Sequence, residues 1–308
     1  MSGPAFLCIG AQKAGTTWLY RALENQPDLW LPPVKELHYF DEKRLHPRSW
    51  YELMRGTDGI AGRWRRQLGT ERRRRIHEAD HPEATERAEW SRNYFFGPTS
   101  PEWYASLFPT DRLGGDITPE YALLDPQGIA DALTINPDLR VIYLLRHPIE
   151  REWSGAVMRS RGLGRSTDLV LKGGRRRHAR YLENLDRWQA ALPPGRLFVG
   201  WFDDIAEHPQ ELLGEILEFL GAPATNASLP AGRPNSGGAS TMPGRLAAPL
   251  AQELRPQLRE LARRLGGPAL EWAETGAWLE SANPDDDIPY PFRRPGAPAR
   301  VGTSSLIL

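Results

Sequence analysis

Residues 6–19, "FLCIGAQKAGTTWL", set a glycine-bearing loop between an apolar run and a helical pattern. The run "AFLCIGA" is short and apolar, which predicts a buried parallel strand. Apolar side chains then recur at helical spacing, at Trp18, Leu19, Ala22 and Leu23. A strand, a glycine loop and a helix N-terminus together present backbone N–H groups to an anion. This stretch therefore predicts a phosphate-binding loop.

The loop differs from the ATP- and GTP-binding pattern in the place of its lysine. That pattern, G-x-x-x-x-G-K-[ST], puts the lysine directly after the second glycine. Gly10 and Gly15 keep the glycine spacing, but Thr16 stands in the lysine position and the loop's own lysine, Lys13, lies between the glycines. Thr16 and Thr17 add hydroxyl donors, and Lys13 adds a full charge. The alternative, a tight turn with an exposed lysine, is disfavoured by the flanking strand and helix.

A second candidate site follows another apolar run, "RVIYLLRHP" (140–148), which predicts a strand. Arg146 ends this run and Ser154 lies eight residues further on, in a helix predicted to start at Pro148. Ligands bind at the carboxyl ends of strands in open parallel sheets, where an arginine can bind a phosphate through two hydrogen bonds. A surface arginine and an unrelated helical serine are the alternative.

The remaining pattern alternates strands with helices. "GRLFVGWFDDI" (195–205) predicts a strand, and "HPQELLGEILEFLG" (208–221) predicts a helix that ends at Gly221. A late amphipathic helix is predicted to kink or to start afresh at Pro256. This order indicates an α/β fold in three layers, a P-loop fold with a central parallel sheet flanked by helices.

The charge balance bounds the possible partners. Lysine plus arginine and aspartate plus glutamate both number 39, so the formal net charge is zero. This argues against a general nucleic-acid or membrane-surface binder. Two runs are nevertheless strongly basic, "RWRRQLGTERRRR" (63–75) and "KGGRRRH" (172–178). They are either solvated faces or a rim that attracts an anionic substrate.

The single cysteine, Cys8, lies inside the first apolar run, so we expect a core residue and no intrachain disulfide. No stretch approaches the roughly 18 apolar residues of a membrane helix, and no signal-type segment opens the sequence. The sequence therefore predicts a cytoplasmic protein in a reducing compartment, with no membrane span.

These motifs resemble those of sulfotransferases that use 3′-phosphoadenosine 5′-phosphosulfate (PAPS). "GAQKAGTTWL" (10–19) resembles their 5′-phosphosulfate loop, and "VIYLLRHPIEREWSGAVM" (141–158) resembles their 3′-phosphate motif. "KELHYFD" (35–41) is similar to the K-E-x-H-[FY]-F-D segment of the heparan-sulfate type and its bacterial relatives. "GDITPEY" (115–121) resembles their G-E-x-[ST]-P-x-Y stretch, with Asp116 replacing glutamate. The resemblance extends from about residue 5 to about residue 265, through a segment at 200–221 that resembles their Y-E-D-L and following helix.

The resemblance implies an enzyme that moves a sulfuryl group from PAPS to the hydroxyl of a glycan, a glycolipid or a secondary metabolite. The products would be a sulfate ester and adenosine 3′,5′-bisphosphate (PAP), and no metal ion is expected. Lys13 would be catalytic, on the bridging oxygen of the donor. The implied donor-binding residues are Lys13, Ala14, Gly15, Thr16, Thr17, Trp18, Arg146 and Ser154, with Gly238 and Arg245 from a glycine-rich loop at 235–245.

The acceptor hydroxyl needs a general base, and the resemblance assigns that role to Glu36. His38 is an alternative because histidine titrates near neutral pH, and Asp116 is a third possibility. Lys35 is expected to assist the sulfuryl oxygens.

We expect residues 1–308 to form one domain. Residues 42–100 would be an insertion on the acceptor side, and 225–308 would supply a loop and helices that cover the nucleotide.

Two other classes of protein stay open. A nucleotide or small-molecule kinase is disfavoured because Thr16 occupies the lysine position and no strand-end aspartate is clearly placed for Mg²⁺. A non-catalytic nucleotide-binding or interaction protein is disfavoured by the presence of Lys13 and Glu36.

Overall fold

The computed structural model of the protein describes residues 3–42, 84–172, 174, 176–223, 229–230, 241–297 and 305–308. The predicted acceptor-side insertion is therefore described only over 84–100, and its basic run at 63–75 lies outside the described residues. Gly238 and most of its glycine-rich loop also lie outside them.

The described strands include every strand predicted from the sequence. They are β1 (Phe6–Gly10), β2 (Leu29–Trp30), β3 (Leu113–Ile117), β4 (Arg140–Leu145), β5 (Leu197–Trp201), β6 (Thr241–Pro243), β7 (Asp287–Pro289) and β8 (Leu306–Ile307).

The described helices surround these strands in chain order. They are α1 (Thr16–Glu24), α2 (Tyr39–Glu42), α3 (Ala84–Phe96), α4 (Pro101–Ser106), α5 (Pro126–Ile135), α6 (Pro148–Leu163), α7 (Thr167–Lys172), α8 (Tyr181–Ala191), α9 (Asp204–Glu207), α10 (Pro209–Leu220), α11 (Gly244–Leu265) and α12 (Pro268–Glu280), with short 3₁₀ helices at Pro119–Leu123 and Arg177–Ala179. None of the helices in these ranges is long and apolar enough to cross a membrane.

The central sheet has the strand order β2-β3-β1-β4-β5-β8. Its first five strands are parallel, and only β8 runs antiparallel, on the outer side of β5. Every residue of β1 is buried, as expected for a strand whose two faces are covered by helices. The predicted fold, a mainly parallel sheet flanked by helices, is confirmed.

The topology gathers three loops at one edge of the sheet. β1 pairs with β3 on one side and with β4 on the other, and the chain moves from β3 across β1 to β4. Such a point, where the strand order reverses, opens a crevice at the carboxyl ends of the strands. The loops that follow β1, β3 and β4 therefore meet there, and they carry the predicted phosphate-binding loop, the "GDITPEY" stretch and Arg146, whereas "KELHYFD" follows β2.

The prediction of a new helix start at Pro256 is wrong. α11 is one helix of 22 residues that contains both Pro249 and Pro256. Proline removes one helical hydrogen bond, but Pro256 is exposed, so water can satisfy the carbonyl that loses its donor. The opposite face is a continuous buried stripe whose burial outweighs the local loss, at Leu246, Leu250, Leu254, Leu258, Leu261 and Leu265.

A substitution tests the packing of the central strands. A Cβ atom added at Gly115 in β3 would overlap the ring of Phe6 in β1, whereas one added at exposed Gly214 in α10 meets no atom within 4 Å. We expect Gly115→Ala to destabilise the protein by about 1–3 kcal/mol through overpacking. Gly214→Ala is the matched control and should stabilise by about 0.5–1 kcal/mol. Urea unfolding measures both, and an unchanged midpoint for Gly115→Ala would contradict this packing.

Candidate active site

The predicted phosphate-binding loop follows β1, and backbone hydrogen bonds to β4 and within the loop hold it in place. The Ala11 N–H donates to the Leu144 carbonyl at 2.7 Å, and the Ala14 N–H donates to the Ala11 carbonyl at 3.0 Å. Gly15 has a left-handed φ of 89°, and a Cβ atom there would overlap the Ile205 side chain. Since Gly15 has no side chain to cap α1, the first N–H groups of the helix are left for an anionic ligand.

Lys13 lies on this loop in a left-handed conformation, with φ of 71°. Its side chain is half-buried, and its backbone carbonyl accepts a hydrogen bond from Arg146 Nη1 at 2.9 Å. Burial lowers the pKa of the Lys13 ammonium, and the charges of Arg146, Arg151 and Arg161 lower it further. The loop therefore concentrates positive charge where an anion would bind.

Of the other predicted loop residues, Ala14, Thr16 and Trp18 are buried and Thr17 is half-buried. Trp18, at 2% exposure, is part of the hydrophobic core on α1. The structure thus places 13–18 as one loop and helix start, as the sequence predicts.

The side chains of Arg146 and Ser154, the second predicted pair, both lie next to Tyr290. Arg146 is buried and donates to Glu150 Oε2 from Nε and Nη2, at 3.2 and 3.1 Å. Its guanidinium also hydrogen bonds to the Tyr290 hydroxyl, and its Cζ lies 4.1 Å from the centre of the Phe202 ring. The Ser154 side chain lies close enough to the Tyr290 hydroxyl to lower the pKa of that tyrosine, although burial raises the pKa overall. The tyrosine oxygen therefore occupies the space between the two predicted phosphate-binding side chains.

Glu150 anchors the C-terminal segment to the same point. Its Oε1 accepts the Phe292 backbone N–H at 3.0 Å. Burial raises the pKa of this carboxyl, while the Arg146 charge opposes the rise. Glu150 and Tyr290 were not predicted from the sequence. Tyr290 is 144 residues from Arg146, and no local pattern marks it.

The predicted base Glu36 lies in a cluster of charged side chains. The Lys35 ammonium hydrogen bonds to Glu36 Oε1, and His38 Nε2 lies 3.7 Å from Glu36 Oε2. Burial raises the pKa of Glu36, but the hydrogen bond from His38 and the Lys35 charge outweigh burial and lower it to about 2. His38 is buried, and its Nδ1 lies 2.7 Å from Asp41 Oδ2. The partly exposed carboxylate of this cluster is therefore held ionised by its neighbours.

Glu120 joins this cluster to the phosphate-binding loop. Its carboxylate lies with Glu36 and His38 in a group whose donor atoms are within 4.8 Å of one another. Gln12 Nε2, in the loop, donates to Glu120 Oε1 at 3.2 Å. Two carboxylates and an imidazole could in principle hold a metal ion, but the Lys35 ammonium already neutralises Glu36. Glu120 lies within the quoted "GDITPEY" stretch, and the sequence analysis singled out only Asp116 there.

Backbone strain marks the same residues. Among the described non-glycine residues, four have a left-handed φ: Lys13 (71°), Glu36 (65°), His38 (57°) and Arg176 (52°). Such conformations cost on the order of 1–3 kcal/mol each and concentrate at functional sites. Three of the four are the predicted catalytic residues, so the strained positions and the predicted catalytic positions coincide.

Asp116 does not fit the role of a general base. It is fully buried and accepts hydrogen bonds from the hydroxyls of Thr118, Tyr104 and Tyr121, at 2.8, 2.9 and 2.8 Å. Burial raises the pKa of the Asp116 carboxyl, although these hydrogen bonds act to lower it. The Tyr121 oxygen accepts the Tyr39 N–H at 2.9 Å, next to His38. Asp116 thus positions the segment that carries the base.

Arg245, the remaining predicted donor-binding residue, lies at the start of α11. Its side chain is exposed and pairs with Asp168 of α7 at 2.9 Å. The preceding strand β6 pairs with β7, whose chain continues directly into Tyr290. A role for Arg245 in donor binding stays a prediction.

Comparisons with known proteins identify the family to which the chain belongs. A model of the sulfotransferase family matches residues 4–226, and the chain belongs to that family. No curated protein sequence matches the chain significantly. The protein is therefore an enzyme of the sulfuryl-transfer class.

Solved structures share the fold. A sulfotransferase from Alicyclobacillus acidocaldarius superposes with a TM-score of 0.54 at 19% identity, over 85% of this chain and 96% of that one. The sulfotransferase domain of the Synechococcus PCC 7002 olefin synthase gives a TM-score of 0.51 at 18% identity, over 90% of this chain and 96% of that one. At these identities the likeness concerns the fold alone.

The assignment of Asp116 as a positioning residue predicts a stability effect. In Asp116→Asn an amide replaces an acceptor of three hydroxyl hydrogen bonds, so at least one buried donor loses its partner. We expect a loss of about 1–3 kcal/mol in the free energy of unfolding. Asp138→Asn, with an 83% exposed side chain, should change it by less than about 0.5 kcal/mol. Equal unfolding midpoints for the two variants would contradict the assignment.

Proposed function

We propose that this enzyme transfers the sulfuryl group of PAPS to an acceptor hydroxyl. The observation that carries the proposal is that the loop with Lys13 contacts both candidate sites: the Lys13 carbonyl accepts from Arg146, and Gln12 donates to Glu120 of the cluster with Glu36 and His38. The loop at 13–18 would bind the 5′-phosphosulfate through backbone N–H groups and hydroxyls. Arg146 and Ser154 would bind the 3′-phosphate.

Donor binding requires Tyr290 to move in this proposal. Its hydroxyl now hydrogen bonds to Arg146 and lies beside Ser154, the two groups that would bind the 3′-phosphate. A phosphate offers three acceptor oxygens and negative charge, so it is a stronger partner for a guanidinium than a neutral phenol. Glu150 stays in place and keeps Arg146 oriented, because its second oxygen is held by the Phe292 N–H.

The reaction is an in-line displacement at sulfur. The acceptor oxygen forms a new S–O bond while the bond from sulfur to the bridging oxygen breaks, and that electron pair stays on the 5′-phosphate of PAP. The Lys13 ammonium stabilises this developing charge. The acceptor proton passes to Glu36, which the pKa of about 2 keeps ionised at neutral pH. Because so acidic a group is a weak base, the proton leaves only as the S–O bond forms.

His38 has a positioning role in this mechanism. It is buried and held by Asp41, and its Nε2 faces the Glu36 carboxylate. Glu36 is the more exposed of the two, so it is the group that would touch the acceptor. A cytoplasmic location, a single domain and a C-terminal cover over the nucleotide remain predictions.

Two substitutions test the proposed chemistry. We expect Lys13→Met and Glu36→Gln each to lower kcat for sulfuryl transfer from ³⁵S-labelled PAPS to a hydroxyl acceptor panel by about 10²-fold or more. Glu183→Gln is the control, since this exposed carboxylate on α8 pairs only weakly with Arg180. PAP affinity should persist in Glu36→Gln, which would place the defect in the chemical step. Activity of Glu36→Gln within threefold of the unmodified protein would remove Glu36 from the mechanism.

The lowered pKa of Lys13 predicts an alkaline limit to activity. The charged form is the active one, so kcat/KM falls as pH rises through a pKa below the ordinary 10.5. Glu36 gives no acidic limb between pH 5 and 7, because its pKa is about 2. The residual activity of Lys13→Arg should lose the alkaline limb, since guanidinium stays charged. A limb unchanged in that variant would assign it to another group.

A further inference from the structure

A large cavity lies beside the candidate active site, between α6, α7 and the 3₁₀ helix at Arg177–Ala179. Its volume is about 990 Å³, at the top of the range of roughly 300–1,000 Å³ for small-molecule sites. Charged side chains dominate the lining, at Arg151, Glu152, Arg159, Arg165, Arg176 and Arg177. The lining thus holds five guanidinium groups and one carboxylate, and Glu253, which pairs with Arg176 from outside the lining, leaves a formal excess of three positive charges.

One face of α6 builds much of this charge. Arg151, Gly155, Arg159 and Leu163 follow one another at intervals of four residues and so share a helix face. A Cβ atom at Gly155 would lie 3.2 Å from Arg159 Nη1 and 3.6 Å from Arg151 Nη2. The missing side chain of Gly155 thus lets two guanidinium groups lie over the same point of the helix.

Two carboxylates neutralise only some of these groups. Glu152 hydrogen bonds to Arg151, and its second oxygen lies 3.5 Å from Arg176. Arg176 Nε also donates to both oxygens of Glu253, at 3.2 Å each. Among the described residues, the side chains of Arg159, Arg165 and Arg177 have no hydrogen-bond or ion-pair partner. Clustered like charges repel, and a bound anion would relieve that repulsion.

Two titrating groups report the resulting potential. Burial lowers the pKa of the Arg159 guanidinium. The charges of Arg151 and Arg176 lower this pKa further, whereas the Glu152 charge raises it. Burial and the charges of Arg151, Arg177 and Arg159 lower the pKa of His178 to about 3, so its imidazole is neutral at pH 7. In both groups the neighbouring arginine charges thus add to the effect of burial.

The cavity also touches the reacting centre. Arg151 Nε donates to the Gln12 carbonyl at 3.1 Å, and Arg151 Nη2 contacts Gln12 Oε1 at 3.1 Å, next to Lys13. His178 Nε2 lies 4.0 Å from Glu120 Oε1, and Glu120 belongs to the cluster of Glu36. Arg151 and His178 therefore connect the cavity to the loop and to the cluster that contains Glu36.

Apolar side chains line another part of the same cavity. Leu163 and Leu169 are 60% and 66% exposed, which is unusual for large aliphatic side chains that flank a cavity. Leu123 and Val170 add further apolar lining. A ligand that buries this surface would gain hydrophobic stabilisation as well as ion pairing.

We propose that this cavity binds the acceptor and that the acceptor is an amphiphilic anion, a hydroxyl compound that already carries a sulfate, phosphate or carboxylate group. Its hydroxyl lies toward Glu36, its anionic group pairs with Arg159, and its apolar part covers Leu163 and Leu169. The assignment as acceptor rests on the proposed sulfuryl transfer. The anion site itself can be tested without donor or turnover.

The test is a fluorescence titration of the full chain with 6-hydroxynaphthalene-2-sulfonate and with uncharged 2-naphthol. We expect the sulfonate to bind at least about tenfold more tightly than 2-naphthol, because charge-assisted hydrogen bonds are the stronger ones. Arg159→Gln should weaken sulfonate binding about tenfold and leave 2-naphthol binding unchanged. Arg263→Gln, on the 72% exposed arginine of α11, is the matched control and should change neither.

Adenosine 3′,5′-bisphosphate separates the two anion sites in this test. If the probe occupies the cavity, saturating bisphosphate leaves it bound; competitive displacement would place it on the phosphate-binding loop and overturn the proposal. Equal affinities for the charged and neutral naphthols, no sulfonate binding, or an unaffected Arg159→Gln variant would overturn it too.

The failure of the proposed function has a different result. In that case the bisphosphate does not bind, while the sulfonate still depends on Arg159. That outcome keeps the anion site and removes only its role as the acceptor site.

Discussion

The buried ion pair of Arg146 and Glu150 joins the segments that make the site. Arg146 holds the Lys13 carbonyl of the phosphate-binding loop, lies over Phe202 after β5, and bonds to Tyr290 near the C-terminus. Glu150 adds the backbone of Phe292. A buried charge without its partner is strongly destabilising, so these segments must come together for the fold to be stable. The pair thus fixes the crevice at the carboxyl ends of β1 and β4 before any ligand binds.

A second constraint acts on the segment that carries Glu36 and His38. The segment with Glu36 and His38 adopts left-handed conformations that cost free energy. Hydrogen bonds from Tyr121 to buried Asp116, and from the Tyr39 backbone to Tyr121, hold its end in place. The stability of the aromatic and carboxylate network around Asp116 therefore compensates the strain at Glu36, the proposed general base. The two carboxylates therefore differ: Asp116 is buried and structural, whereas Glu36 is accessible and held ionised.

The sequence predicted what depends on local pattern. The strand–loop–helix at 6–24, the strand before Arg146 and the helix from Pro148 all follow from apolar periodicity and from glycine and proline chemistry. Lys13, Glu36 and His38 could be named because each lies in a short motif. Contacts between distant segments could not be read in this way. Tyr290 reaches Arg146 across 144 residues, Glu120 meets Glu36 only after folding, and the arginine cavity needs α6, α7 and 176–178 together. The helix does not start afresh at Pro256, because tertiary burial of the leucine stripe outweighs the tendency of proline to interrupt a helix.

The most direct test of the central claim compares the affinity of the protein for adenosine 3′,5′-bisphosphate and for adenosine 5′-phosphate by calorimetric titration, with ATP–Mg²⁺ as a third ligand. Ser154→Ala tests the 3′-phosphate site more cleanly than a substitution of Arg146 would, because Arg146 also stabilises the fold. The account predicts that the bisphosphate binds most tightly and that Ser154→Ala reduces its advantage over the monophosphate. Equal binding of the two nucleotides, or preference for ATP–Mg²⁺, would contradict a PAPS site and favour phosphoryl transfer.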